Sequence, residues 1–321
     1  MSLSEFDLIR EYFSNQSHNR EDVVLGVGDD CAVLAPPVGM ELVVTSDTLV
    51  EGVHFQQGAD PKALGHKSLA VNLSDLAAMG ASPSWVTLAL TLPETDPVWL
   101  RSFSDGFLTL AHKHTVALVG GDTTRGPLSI TVTAHGFVQP GAAIRRSGAK
   151  VGDHVFVTGT LGDGTVALLA RQGAYRVETG LAELENQLDL PQPRLAVGNA
   201  LVGVASSAID ISDGLVADLG HICEQSSVGA RVLLDTVPVS SQVKEYLQQG
   251  GSWDNVIAGG DDYELCFTLS PEKLDLLDGI RQRLDCNLTQ VGEIVAGQGV
   301  SCITADGTVL EHSGSGYQHF S

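Results

Sequence analysis

Positive charge is what this sequence has least of. Its 321 residues carry 18 Lys and Arg against 39 Asp and Glu, a net charge of -21. Non-specific nucleic-acid binding needs a basic surface, and so does adhesion to an anionic membrane, so neither is expected. An acidic surplus taken as a whole also serves solubility. Aromatic residues are scarce, at 5%. No run approaches the roughly 18 apolar residues of a membrane span. The opening residues place Glu5, Asp7 and Arg10 in an amphipathic pattern, not a basic region followed by an apolar run, so no signal peptide is expected. The five cysteines (Cys31, Cys223, Cys266, Cys286, Cys302) form no CxxC pair and have no His partner at zinc spacing. They read as small core residues of a protein in the reducing cytoplasm.

Catalytic signatures are missing as well. There is no GxxxxGK[ST] phosphate loop, no HRD or DFG set, no HExxH and no GxSxG. His112 and His114 lie near a helix end and read as surface residues. A nucleotide enzyme made from this chain would have to work through acid-bound metals, without a P-loop lysine.

What the chain has is glycine, 36 residues of it, with 43% hydrophobic and 18% charged residues. That is an ordinary globular composition, and the length suits two α/β or α+β domains. Residues 3–13 have helical periodicity, with Leu3, Phe6, Ile9 and Phe13 on one face. A helix over 60–80 is well punctuated: Asp60 as N-cap, Pro61 at the first position, Gly80 after the end. Asp75 sits inside it among apolar neighbours, where a carboxylate is costly unless paired or bound to metal. Residues 97–113 form another helix, and 172–190 read as an exposed helical connection. Residues 139–154 are rich in Gly and Ala, carry Arg145, Arg146 and Lys150, and mark the domain boundary. That basic cluster reads equally as a solvated linker or as phosphate contacts.

One arrangement recurs: an apolar run ending in glycine, hydroxyl and acid. It gives VGDD with Asp29 and Asp30, VVTSD with Thr45, Ser46 and Asp47, and VGGDTTR with Asp122. In the second half it gives IDISDG with Asp210, Ser212 and Asp213, and AGGDDY with Asp261 and Asp262. Any one such turn is weak, because turns use these residues anyway. Together they suggest carboxylates gathered at strand ends, where open α/β sheets bind ligands. Converging carboxylates repel one another unless cations intervene. Mg²⁺ takes carboxylates, waters and substrate phosphates, and phosphoryl transfer needs that neutralisation more than covalent chemistry.

VGDDCAVL, TSDTLVEGVHF, NLSDLAAMGA, GGDTTRGP, RRSGAKVGD, IDISDGL, GGDDYEL and the terminal GYQHF, taken in order, resemble the thiamine-monophosphate kinase family. They span residues 26–320. The resemblance implies a two-domain α/β (α+β) fold like that of aminoimidazole ribonucleotide synthetase. Residues 1–138 would bind ATP and Mg²⁺ and form a homodimer through their sheet; residues 139–321 would complete the active-site cleft. It implies transfer of a phosphoryl group from ATP to thiamine monophosphate, in line and without a phosphoenzyme. Several Mg²⁺ ions would be held by Asp30, Thr45, Ser46, Asp47, Asp75, Asp122, Asp210 and Asp213, with Asp47, Asp122 and Asp213 closest to the chemistry. ATP contacts would come from Gly121, Asp122, Arg146 and Ser212, and thiamine monophosphate contacts from His54, Asp261 and Tyr317. The family commonly has Thr where Ser46 stands and Glu where Asp261 stands, so the shorter Asp261 puts its substrate contact in question. An aminoimidazole ribonucleotide synthetase-like ligase and a non-catalytic Mg-nucleotide sensor are the alternative readings. The reactive Cys near an N-terminal glycine-rich loop expected of a selenophosphate synthetase is absent before Cys31, and the chain lacks the Cys-containing tail of the related hydrogenase-maturation protein.

Overall fold

The computed structural model describes residues 8–14, 20–284 and 286–310. By internal contacts the chain divides into two compact units, Met1–Leu76 with Ala81–Gly141 and Ala77–Gly80 with Ala142–Ser321.

In the first unit a short hairpin, β1 (Val23–Leu25) and β2 (Val33–Leu34), precedes a four-stranded sheet. The sheet holds β3 (Glu41–Val50), β4 (Ser82–Leu92), β5 (Ala117–Arg125) and β6 (Ser129–Val138) in the order β3-β6-β4-β5. Only β4 and β5 run parallel. Alternation along β6 shows the two faces: Ile130, Val132 and Ala134 are buried, while Thr131, Thr133 and His135 between them are half-buried. Two helices, α1 (Pro61–Ala78) and α2 (Pro97–Lys113), follow β3 and β4. Both start as the sequence predicts. Asp60 accepts from the Lys62 N–H, and Asp96 accepts from the Val98 N–H at 2.8 Å, each with Pro at the first helical position. The helices approach through glycines. A Cβ on Gly65 would lie 2.1 Å from the Phe103 carbonyl oxygen, and one on Gly106 would lie 1.9 Å from that of Lys62.

Two strands depart from expectation. Strand β3 does not end with its apolar run at Thr45, and β5 does not end at the glycine pair. β3 continues through Thr45, Ser46 and Asp47 to Val50, and β5 continues through Gly120, Gly121 and Asp122 to Arg125. The reason is pairing. β3 matches β6 residue for residue from Glu41 with Val138 to Val50 with Ser129, so a ladder carries the polar residues that periodicity alone would assign to a turn.

The second unit is a seven-stranded sheet in the order β13-β12-β9-β11-β7-β10-β8. Its strands are β7 (His154–Thr158), β8 (Ser207–Ile211), β9 (Gly229–Leu233), β10 (Glu264–Leu269), β11 (Leu288–Val295), β12 (Gly299–Ile303) and β13 (Val309–Leu310). Its helices are α3 (Asp163–Arg171), α4 (Leu181–Asp189), α5 (Leu195–Leu201), α6 (Leu215–Ser226), α7 (Ser241–Gln248), α8 (Trp253–Ile257) and α9 (Leu274–Arg283). Every residue of β8 and β10 is buried, including the polar Ser207, Asp210, Glu264 and Thr268. Cys223, Cys266 and Cys302 belong to the core here, as expected of small apolar residues, whereas Cys31 is exposed. The connection over 172–190 is less exposed than predicted, because α4 buries Leu184 and Leu188.

At the N-terminus the described turn buries Leu8, Tyr12 and Phe13, so the apolar face is shifted from the predicted Leu3, Phe6, Ile9 and Phe13, of which Leu3 and Phe6 lie outside the described residues.

Candidate active site

In the first unit β3 and α1 bring three of the predicted residues into one neighbourhood. Thr45 Oγ1 donates to Asp75 Oδ2, which accounts for a carboxylate in an apolar helix. The Asp47 N–H donates to Asn72 Oδ1 at 3.1 Å, and Asn72 is fully buried. Asn72 was not singled out by sequence. Its spacing of three residues from Asp75, which places both on one helical face, is the signal that could have found it.

Ser46 lies on the other side of the sheet. It is paired with Thr133, and its hydroxyl is 3.0 Å from Thr133 Oγ1 and 3.3 Å from the Val132 carbonyl oxygen. Thr45 and Asp47 take the opposite face because strand side chains alternate. A Ser46 contribution beside Asp47 therefore comes from its backbone oxygen.

The segment after β3 folds tightly. Val50 C=O accepts from Val53 N–H and His54 N–H, Gly52 takes a φ of 79°, and the Val50 N–H donates to His54 Nδ1 at 3.0 Å. Nδ1 is thereby an acceptor, so the neutral ring carries its proton on Nε2 and presents a donor there. Asp30 sits in an exposed turn, its N–H bonded to Asp29 Oδ1 at 2.8 Å. Gly121 is beside Leu88 in the parallel β4–β5 ladder, at a φ of 150°, and a Cβ there would meet the Leu88 carbonyl oxygen at 1.8 Å. The second glycine of GGD is a packing requirement that presents the exposed Asp122.

In the second unit three glycine-rich segments meet: 159–164, 210–214 and 259–263. Asp261 N–H donates to the Ser212 carbonyl at 2.9 Å, and Tyr263 N–H donates to that of Ile211 at 2.8 Å. Gly162 N–H donates to Asp262 at 3.0 Å. A Cβ on Gly260 would fall 2.2 Å from the Ser212 oxygen, and one on Gly164 would fall 2.8 Å from that of Asp261. Asp210 is buried on β8 opposite Leu265. Asp262 keeps some exposed surface, but its carboxyl is enclosed by protein. Desolvation, then the charges of Asp163, Glu264 and Asp261, push it well above the carboxylate range against the pull of Gly162 N–H.

Helix α6 braces two of the predicted segments from its ends. Near its start Asp218 Oδ2 accepts from both Ser212 N–H and Asp213 N–H, each at 3.0 Å. Burial and the neighbouring Asp213 push that carboxyl up to about 7. At its end Ser226 Oγ accepts from Gly148 N–H (3.1 Å) and Ala149 N–H (3.2 Å) and donates to the Arg146 carbonyl (3.3 Å). The Arg145–Arg146 segment is thus an ordered loop whose exposed guanidinium groups stand on a fixed backbone, not a loose linker. Neither Asp218 nor Ser226 was legible in sequence, since each acts through backbone groups, those of Ser226 lying far along the chain. Buried Glu264 pairs with Arg194 and accepts from Thr158. That ion pair was also missed.

His114 differs from expectation. It is half-buried with no hydrogen-bond partner at its buried Nε2, and desolvation, then Lys113 and His66, lower it to about 4. Tyr317 lies outside the described residues. Among the described residues no three His, Cys, Asp or Glu side chains form a ready metal cluster. The predicted donors are all oxygens, which fits a hard cation that keeps waters and takes one or two carboxylates together with phosphate oxygens.

The chain matches the AIR synthase related protein N-terminal domain over residues 28–138 and the corresponding C-terminal domain over 150–304. It is 45% identical to thiamine-monophosphate kinase of Salmonella typhimurium, covering 100% of this chain and 99% of that one. A crystal structure of thiamine-monophosphate kinase from Stenotrophomonas maltophilia K279a superposes with a TM-score of 0.87 at 47% identity, covering 97% and 99% of the two chains. AaThiL complexed with AMPPCP and TMP superposes with a TM-score of 0.78 at 31% identity over 92% of each. With relatives this similar over its full length, and with their two-domain α/β architecture, the chain belongs to the thiamine-monophosphate kinase family.

Proposed function

We propose that this chain transfers the terminal phosphoryl group of ATP to thiamine monophosphate, giving thiamine diphosphate and ADP. The observation that carries the reading is full-length similarity to thiamine-monophosphate kinases, 45% identical, in a chain whose acidic glycine segments are all built into ordered structure. AaThiL, a structural neighbour, was complexed with AMPPCP and TMP, which supports the two-substrate assignment.

A substrate phosphate oxygen attacks the γ-phosphorus in line, the bond to the β-phosphate oxygen breaks, and no enzyme nucleophile is needed. Asp30, Thr45, Asp47, Asp75 and Asp122 of the first unit, with the Ser46 backbone oxygen, and Asp210 and Asp213 of the second, would hold Mg²⁺. Bound there, Mg²⁺ supplies charge neutralisation at the phosphates. Gly121, Asp122, Arg146 and Ser212 serve ATP. Arg146 suits forked contact with phosphate oxygens, and the clamp by Ser226 supports that role. His54, Asp261 and Tyr317 serve thiamine monophosphate, with His54 Nε2–H as a donor. We assign residues 1–138 to the N-terminal domain and 139–321 to the C-terminal domain, a cytoplasmic setting, and a homodimer formed through the first sheet.

Thiamine diphosphate formation from ATP and thiamine monophosphate, with and without Mg²⁺, tests the reaction. Asp47→Asn and Asp122→Asn should each abolish turnover with near-normal folding. Full activity in either variant would overturn that residue's assignment, and ATP binding without ADP release would make the chain a sensor.

A further inference from the structure

The turn carrying Asp261 is strained in a specific way. Asp261 and Tyr263 both have positive φ, 68° and 50°, although neither is glycine. Asp tolerates this left-handed region better than most side chains; Tyr does not. Such conformations persist where surroundings over-determine them. Here the backbone bonds from Asp261 and Tyr263 to Ser212 and Ile211 do so, together with Gly164 packed beneath the Asp261 carbonyl. The backbone on either side of Asp262 is pinned, and the Asp261 side chain still has χ1 to settle.

Tyr263 settles it. The left-handed backbone brings the phenol back over the residue two positions earlier, and Tyr263 Oη donates to Asp261 Oδ1 at 3.0 Å. A carboxylate offers two oxygens and about four lone-pair sites, so an O–H bond at Oδ1 orients the group without exhausting its capacity to accept. Asp261 stands where the family commonly has Glu, so its reach is shorter and its orientation matters more. We propose that Tyr263 is a positioning residue for thiamine monophosphate, its hydroxyl fixing the Asp261 carboxylate in the orientation that meets substrate; this rests on the reading of Asp261 as a substrate contact.

The test is a double-mutant cycle on the full chain, in steady state, with each substrate varied at saturation of the other. Tyr263→Phe removes one oxygen and keeps the ring. It should raise KM for thiamine monophosphate by about tenfold, the scale of a hydrogen bond to a charged acceptor, and leave KM for ATP within about twofold. In an Asp261→Ala background the same change should have no further effect. In Asp261→Asn, whose amide oxygen still accepts, it should retain part of its effect. An equal penalty in the Asp261→Ala background, or an equal rise in KM for ATP, overturns the positioning role and leaves the substrate assignment standing. An unchanged KM for thiamine monophosphate in Asp261→Ala overturns the assignment itself, and the proposal with it. Thermal midpoints of the parent and of every variant are read alongside, and a Tyr263→Phe chain that loses its fold whichever residue stands at 261 overturns the proposal in favour of a structural role.

Discussion

Thr45, Ser46 and Asp47 are consecutive yet face different surroundings. A strand alternates, so Thr45 and Asp47 meet α1 while Ser46 meets Thr133. The residue types were readable from the sequence as hard-cation donors. Their division between faces was not, because it depends on β3 continuing past the apolar run. His114 makes the same point for titration. In sequence it is a histidine at a helix end; in the fold it is half-buried and held near 4 instead of the usual 6.5. Between those values the unfolded chain binds a proton that the folded chain refuses. The stabilising contribution is therefore present above about 6.5 and is lost as pH falls toward 4. His114→Phe keeps an aromatic ring and removes the titration. Urea midpoints measured at pH 7.5 and 5 should show a smaller acid loss in the variant than in the parent. Equal losses would show that the His114 proton does not couple to folding.

At the scale of elements, what could be read were the pieces with local chemistry. The start of α1 was legible because Asp60 and Pro61 act within one turn, and the acidic glycine motifs because they interrupt apolar runs. The strand ends were misplaced because ladder pairing decides them: β5 runs through Gly120 and Gly121 since its partner β4 continues alongside. The bracing of segments by Asp218 and Ser226 was hidden because their partners are backbone groups, which carry no sequence signature. Glycines in helices were ambiguous for a related reason, since a propensity scale treats them alike. Gly106 in α2 and Gly279 in α9 separate the cases. A Cβ on Gly106 would overlap the Lys62 backbone, whereas one on Gly279 meets nothing within 4 Å. Gly106→Ala should destabilise by ~1–3 kcal/mol or more through overpacking. Gly279→Ala should stabilise by ~0.5–1 kcal/mol through helix propensity and a less flexible unfolded chain. Chemical denaturation of the two variants checks the opposite signs, and the same sign for both would refute the account of α1 against α2.

For the whole molecule the open question is what covers β3. Among the described residues it is the edge of its sheet, ten residues long and paired only with β6. Leu42 and Val44, alternate residues on the Ser46 face, are 49% and 53% exposed. A long apolar edge is an aggregation hazard that proteins ordinarily block or pair. A second copy is the occupant proposed above, and two-fold symmetry would place the same patch on both subunits. Each copy carries a net charge of -21, so long-range repulsion opposes association and apolar contact has to exceed it. Salt shortens the reach of that repulsion to ~8–10 Å near physiological strength without weakening apolar contact. Dimerisation should therefore tighten between 20 and 300 mM NaCl, roughly spanning that screening range. Leu42→Lys with Val44→Lys should give a folded monomer, because each charge meets its symmetry mate and lysine is itself an edge-blocking residue. Sedimentation velocity on both proteins at the two salt concentrations reads both effects. A parent that sediments as a monomer throughout, or a doubly substituted chain that still dimerises, would remove β3 from the interface.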